Sequence, residues 1–118
     1  MAEFNQYHEP PNELSESVRT FARVLASLVE EAEAVGWYEQ RMSVEKNDEV
    51  KGIMRAAQRE EFKHFAMDLE FLSRQLPEWR AALRTVLFQS GDIVKLGEKV
   101  EYAEEQVEGQ ARQHNPAD

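Results

Sequence analysis

The chain has 118 residues, with 23 Asp or Glu against 14 Lys or Arg and a formal net charge of -9, a length expected for one domain. Such an acidic surface argues against nucleic acid and anionic membranes as partners and is compatible with cations. The absence of cysteine rules out disulfides, thiolate chemistry and Cys-based metal sites.

No apolar run is long enough for a membrane span, and Met1-Ala2-Glu3-Phe4 carries no signal-peptide pattern, so a cytoplasmic location is expected. The first eleven residues, ending in Pro10-Pro11, have no periodicity and read as an irregular arm over 1–11. A helical pattern begins near Asn12, which is placed to cap it. Leu14, Val18, Phe21, Leu25, Leu28, Ala32 and Val35 then follow at steps of four and three, a stripe that a strand does not produce. This helix is expected to continue to about Arg41. Ser43 to Asn47 reads as a polar connection, with Asn47 or Asp48 capping a second helix.

On that second helix Val50, Ile53, Met54, Ala57, Phe62, Phe65, Leu69, Leu72 and Leu76 again have a helical period. Pro77 ends it and opens a shorter third helix, with Trp79, Ala82, Leu83, Val86 and Leu87 as its apolar face. Ser90-Gly91-Asp92 breaks the pattern. The remainder, 91–118, reads as an acidic C-terminal helix or mobile tail. The fold class is therefore all-α: an antiparallel two-helix hairpin plus a short third helix, over 12–90. Two long helices with wide apolar faces leave surface that calls for a partner, and a second copy of the chain is the first candidate.

Polar residues interrupt the stripes. Phe21, Val24, Leu28, Glu31, Val35 and Tyr38 share one side of the first helix; Val50, Met54, Ala57, Glu61 and His64 share one side of the second. Glu61 and His64 are one turn apart. Burying a lone carboxylate costs several kcal/mol, so an inward acid needs a partner or a metal. Counting from the connection at ~1.5 Å per residue, Glu31 and Glu61 both lie roughly 15–20 Å along their helices.

One Glu and one Glu-x-x-His are half the ligand set of a di-iron carboxylate site in a four-helix bundle. Two chains related by a two-fold axis supply the whole set, and the same pairing buries the uncovered stripes. The four carboxylates neutralise two divalent ions, and hard oxygen donors with a few nitrogens suit iron, with manganese or zinc as other occupants. Glu-x-x-His alone is a weak signal; Glu31 at matching height strengthens it. Glu30, Glu33 and Glu60 read as a solvated helix face, Trp37 and Tyr38 as packing residues, with Tyr38 also placed to reach a metal ligand. His8 and His114 fall in the arm and tail.

These residues resemble the encapsulated ferritins, iron-oxidising cargo proteins of encapsulin nanocompartments. The resemblance lies in Leu28-Val29-Glu30-Glu31-Ala32-Glu33-Ala34-Val35-Gly36-Trp37-Tyr38-Glu39-Gln40-Arg41, in Arg59-Glu60-Glu61-Phe62-Lys63-His64-Phe65-Ala66-Met67, in His8-Glu9-Pro10 and in Leu83-Arg84-Thr85-Val86-Leu87-Phe88. It implies half of a ferritin-like four-helix bundle, completed by dimerisation, and a ring-shaped decamer of five dimers. It implies a ferroxidase with two irons per subunit pair, held by Glu31, Glu61 and His64, with Glu61 bridging and Tyr38 hydrogen-bonding near the site. Glu30 and Glu33 match the family's metal-access site beside the centre, where other divalent cations also fit, with Trp37 next to them. The implied location is inside an encapsulin shell. Gly36 and Asp68 depart from the family pattern, and the chain closes on Arg112-Gln113-His114-Asn115-Pro116-Ala117-Asp118 without the Gly-Ser-Leu type segment that docks on the shell. Two other functions are compatible with the same residues. One is a non-catalytic helical module in which Glu31, Glu61 and His64 set register; the other is a di-iron peroxidase.

Overall fold

A computed structural model of the chain describes residues 6–113. They form a single 3-10 turn (Pro11–Glu13) and five helices: α1 (Glu16–Val44), α2 (Asp48–Gln75), α3 (Pro77–Val86), α4 (Ile93–Glu98) and α5 (Val100–Gln113). There is no strand among the described residues, so the class is all-α. Met1 to Asn5 of the arm and His114 to Asp118 of the tail lie outside the described residues. The helices fall into two compact units, one ending at Leu72 and the other starting at Ser73.

In the first unit, α1 starts later than the apolar pattern suggests. Pro11 opens the 3-10 turn, in which Glu13 N–H donates to Pro10 O (2.9 Å) and Leu14 N–H to Pro11 O (3.2 Å). Ser15, with extended backbone, is the N-cap in place of Asn12, and its hydroxyl accepts from Val18 N–H at 3.2 Å. The reason is geometric: Asn12 is already inside the turn, whereas the short Ser15 hydroxyl reaches an amide of the first helical turn that has no partner of its own.

Helix α1 runs to Val44, about one turn past Arg41. The link to α2 is only Glu45 to Asn47. The Glu45 carboxylate accepts from Lys46 and Asn47 N–H, both at 3.1 Å, and Asn47 Oδ1 caps α2 by accepting from Val50 N–H at 3.0 Å. Asp48 and Glu49 in the first turn of α2 and Arg74 in its last turn complement the helix dipole.

So short a link makes α1 and α2 antiparallel neighbours. Ala26, Met42, Gln58 and Leu72 are buried, while Ile53 (65% exposed), Met67 (61%) and Phe62 (50%) are open on the single chain. Gln58 is the polar exception in this interior. Its amide Nε2 donates to the Val35 carbonyl (3.1 Å) and to Glu39 Oε2 (2.9 Å), joining α2 to α1.

In the second unit, Leu76 precedes Pro77 at the first position of α3, and Arg80 donates from Nη1 to the Ser73 hydroxyl at 2.9 Å. Helix α3 packs along α5 and, over a shorter stretch, against α4. The turn between α3 and α4 holds Phe88 at φ 61 and Gly91 at φ 107, both left-handed. Glycine takes that conformation without a steric penalty; phenylalanine does not. Asp92 then caps α4, accepting from Lys95 N–H at 3.0 Å. The acidic end of the described chain is thus helical through Gln113.

Candidate metal centre

Helical periodicity puts the acids of α1 and α2 together. Glu31 comes from the middle of α1, Glu61 and His64 from the middle of α2. Asp68 lies four residues after His64 and seven after Glu61, on the same helical face. The Glu31 carboxyl lies within hydrogen-bonding reach of Asp68 when protonated and feels the charges of Asp68, Glu61 and Glu30.

Burial, the Asp68 contact and these like charges, in that order, raise the Glu31 pKa from 4.5 to about 7. Glu31 Oε2 is fully buried and has no hydrogen-bond partner. A buried acceptor without a donor, in a cluster of acids, is the feature a bound cation would satisfy.

His64 is partly open, with 44% of its side chain exposed against 24% for Glu61. Its Nδ1 lies 3.6 Å from Glu61 Oε1, and its Nε2 lies 3.9 Å from Glu60 Oε2. Both separations exceed a hydrogen bond but bring a carboxylate to each edge of the ring. Glu60 is held to Lys63 by a 2.8 Å ion pair, and that bond keeps its carboxyl below the usual range.

Ile53, His64, Met67 and Phe71 follow one another around the helix at multiples of three to four residues. His64 therefore shares an exposed flank of α2 with these apolar side chains and with Glu60.

The other sequence-chosen residues are spread along α1. Glu30 is exposed and close enough to Glu31 to raise its pKa. Glu33 is exposed, as is Trp37. Tyr38 carries the Arg41 guanidinium over its ring, 5.5 Å from the centroid. Among the described residues, no three His, Asp or Glu side chains of the single chain gather into a group that could hold a metal.

The sequence marked Asp68 only as a departure from the family pattern, with no role at the site, and did not single out Gln58. For Asp68 the signal was available: Glu61-x-x-His64-x-x-x-Asp68 continues one face. For Gln58 it was not, because a lone glutamine three residues before Glu61 looks like any solvated position.

An all-helical fold in which two long antiparallel helices bring inward acids within reach of each other is a ferritin-like arrangement. Sequence and structure comparison makes the assignment specific. A family model described as EncFtn-like matches residues 6–90, and the chain belongs to this family, the encapsulated ferritins.

Among its relatives is a ferritin-like protein of Thermotoga maritima, 44% identical over 105 residues, which are 89% of this chain and 92% of the relative. An encapsulated ferritin-like protein of Rhodospirillum rubrum is 39% identical over 92 residues, or 78% of this chain; the match spans 66% of that protein's length. A crystal structure of protein ne0167 from Nitrosomonas europaea superposes with a TM-score of 0.73 at 39% identity, covering 75% of this chain and 99% of that one. No helix among the described residues is long and apolar enough to cross a membrane.

Proposed function

We propose that the chain is a ferroxidase subunit whose metal centre forms between two copies. Glu31, Glu61 and His64 of each copy are the ligands, and Fe(II) is the substrate. The observation that carries this reading is the one buried Glu31 oxygen, Oε2, that has no hydrogen-bond partner, on a carboxyl surrounded by the acids Asp68, Glu61 and Glu30. A divalent cation would satisfy that oxygen and offset the repulsion that raises the Glu31 pKa. Carboxylate oxygens with an imidazole suit iron, and also manganese or zinc.

A second copy supplies what one chain lacks. The exposed Met67 and Phe71, within two turns of His64, and Ile53 further along the same face of α2 favour an apolar contact there, and pairing two such faces completes the four-helix ligand set.

In this reading Glu61 bridges two irons, Glu31 and His64 complete their coordination, and dioxygen takes up the electrons released as Fe(II) becomes Fe(III). The carboxylates favour the higher charge. Glu30 and Glu33, exposed on α1 with Trp37, pass cations toward the centre, and Tyr38 orients a ligand from the next turns of α1. The dimers assemble further into a ring, on family resemblance a decamer. A ring has no closed interior, so mineral storage falls to an encapsulin shell in the cytoplasm.

The test is oxygen-dependent Fe(II) oxidation by the purified chain. Oxidation that Glu61→Ala abolishes is the expected result. Equal rates in both proteins, or none in the wild type, would overturn the reading. Comparing peroxide with oxygen as oxidant separates ferroxidase from peroxidase.

A further inference from the structure

Gln58 is 6% exposed, and its only hydrogen-bonding side-chain hydrogens are the two on Nε2. That nitrogen donates across the hairpin to the Val35 carbonyl at 3.1 Å and to Glu39 Oε2 at 2.9 Å. Val35 and Glu39 are one turn apart on α1, so the amide straddles a turn centred on Trp37. It is thus pinned along the helix axis as well as across it.

Antiparallel helices keep a simple correspondence: each step toward the N-terminus of α1 matches an equal step toward the C-terminus of α2. With Gln58 level with Trp37, Glu31 lies six residues along α1, and His64 lies six residues along α2. Glu31 is therefore level with His64. Glu61 and Asp68 then sit about 4.5 and 6 Å to either side along the axis. This is the register at which both Glu61 and Asp68 bear on the Glu31 carboxyl, as they do.

Apolar contacts between such stripes slide at modest cost, because many registers bury similar areas. Two hydrogen bonds from a buried amide do not, since slipping leaves the buried amide unsatisfied.

We propose that Gln58 is a positioning residue for the metal centre: its clasp on Val35 and Glu39 sets the axial register that levels Glu31 with His64. The inference rests on reading Glu31, Glu61 and His64 as ligands. Gln58 touches no metal; it acts through the relative position of two helices.

The test uses the full chain freed of metal, with Co(II) as the probe because its visible absorption reports coordination. Gln58→Met keeps the volume and removes both N–H donations. Gln58→Glu keeps the shape and sets a like charge against Glu39. With far-UV circular dichroism unchanged, both variants should bind Co(II) roughly 10–100-fold more weakly and with an altered visible band.

Glu39→Ala is the second variant. It removes one of the two bonds from an exposed position and should weaken Co(II) binding in the same direction by a smaller factor. A folded Gln58→Met that binds Co(II) as tightly as wild type, with the same spectrum, overturns the proposal. Should the Gln58 variants not fold, unchanged Co(II) affinity in Glu39→Ala overturns it. A wild-type chain that takes up no Co(II) overturns the metal centre itself, and the inference falls with it.

Discussion

Glu31 and Asp68 are two acids close enough that a proton on the Glu31 carboxyl can bridge them. The Glu31 pKa is accordingly raised to about 7, first by burial and then by Asp68. The folded chain holds this proton more tightly than the unfolded one. The Glu31 contribution to stability is therefore fully present below its ordinary 4.5 and is lost as pH rises through about 7. The displacement corresponds to ~3 kcal/mol if all of it is realised. Glu31 is half-buried as a residue and its site is open on the His64 side, so solvent screening reduces this to roughly 1–2 kcal/mol.

The perturbation is Asp68→Asn, which removes the Asp68 charge beside the Glu31 carboxyl and leaves the burial of Glu31 in place. Urea unfolding of the metal-free chain near pH 5 and near pH 8, at one protein concentration, is the assay. Wild type should lose stability between the two, and Asp68→Asn should recover about 1 kcal/mol of that loss at the upper pH. Glu105→Gln, an exposed acid on α5, controls for the change in net charge. Equal pH responses for Asp68→Asn and Glu105→Gln would refute the reasoning.

The same proton makes cation uptake pH-dependent: apparent Co(II) affinity should rise as pH increases toward about 7 and level off above it, followed by absorption titration. Met67→Glu, one turn from His64, or Ile53→Glu, further along the same face of α2, puts a charge into that exposed flank and should weaken self-association at least about tenfold by sedimentation velocity, with metal uptake falling in parallel. Ser15→Ala should cost about 1 kcal/mol in urea unfolding through loss of the α1 cap, while Asn12→Ala should cost much less.

The long helices were legible because their apolar residues recur at helical spacing over many turns, and Pro77 and Ser90-Gly91-Asp92 punctuate them in the expected way. The start of α1 was not. Asn12 and Ser15 are both good caps, and only the turn built by Pro11 decides between them. The C-terminal region was read as helix or tail because Glu- and Gln-rich sequence fits either; its packing as α5 along α3 rests on tertiary contacts that periodicity does not report.

At the site, Glu31, Glu61 and His64 stand out because acids on an apolar stripe are costly. Asp68 stood out only as a departure from the family pattern, although it continues the same face, because its effect lies in what it meets on another helix. Gln58 is an uncharged residue whose role depends wholly on what the neighbouring helix offers at that height. Register between helices is the quantity that one-dimensional periodicity leaves undetermined, and in this chain one buried amide marks it.

The most direct measurement is an anomalous-diffraction crystal structure of the chain soaked with Fe(II). The expected result is a pair of irons between two copies, each iron bound by Glu31, Glu61 and His64 side chains drawn from both. Iron bound elsewhere, or a dimer in which the two Glu61-x-x-His64 faces turn away from each other, would contradict a metal centre that a single chain carries only by half.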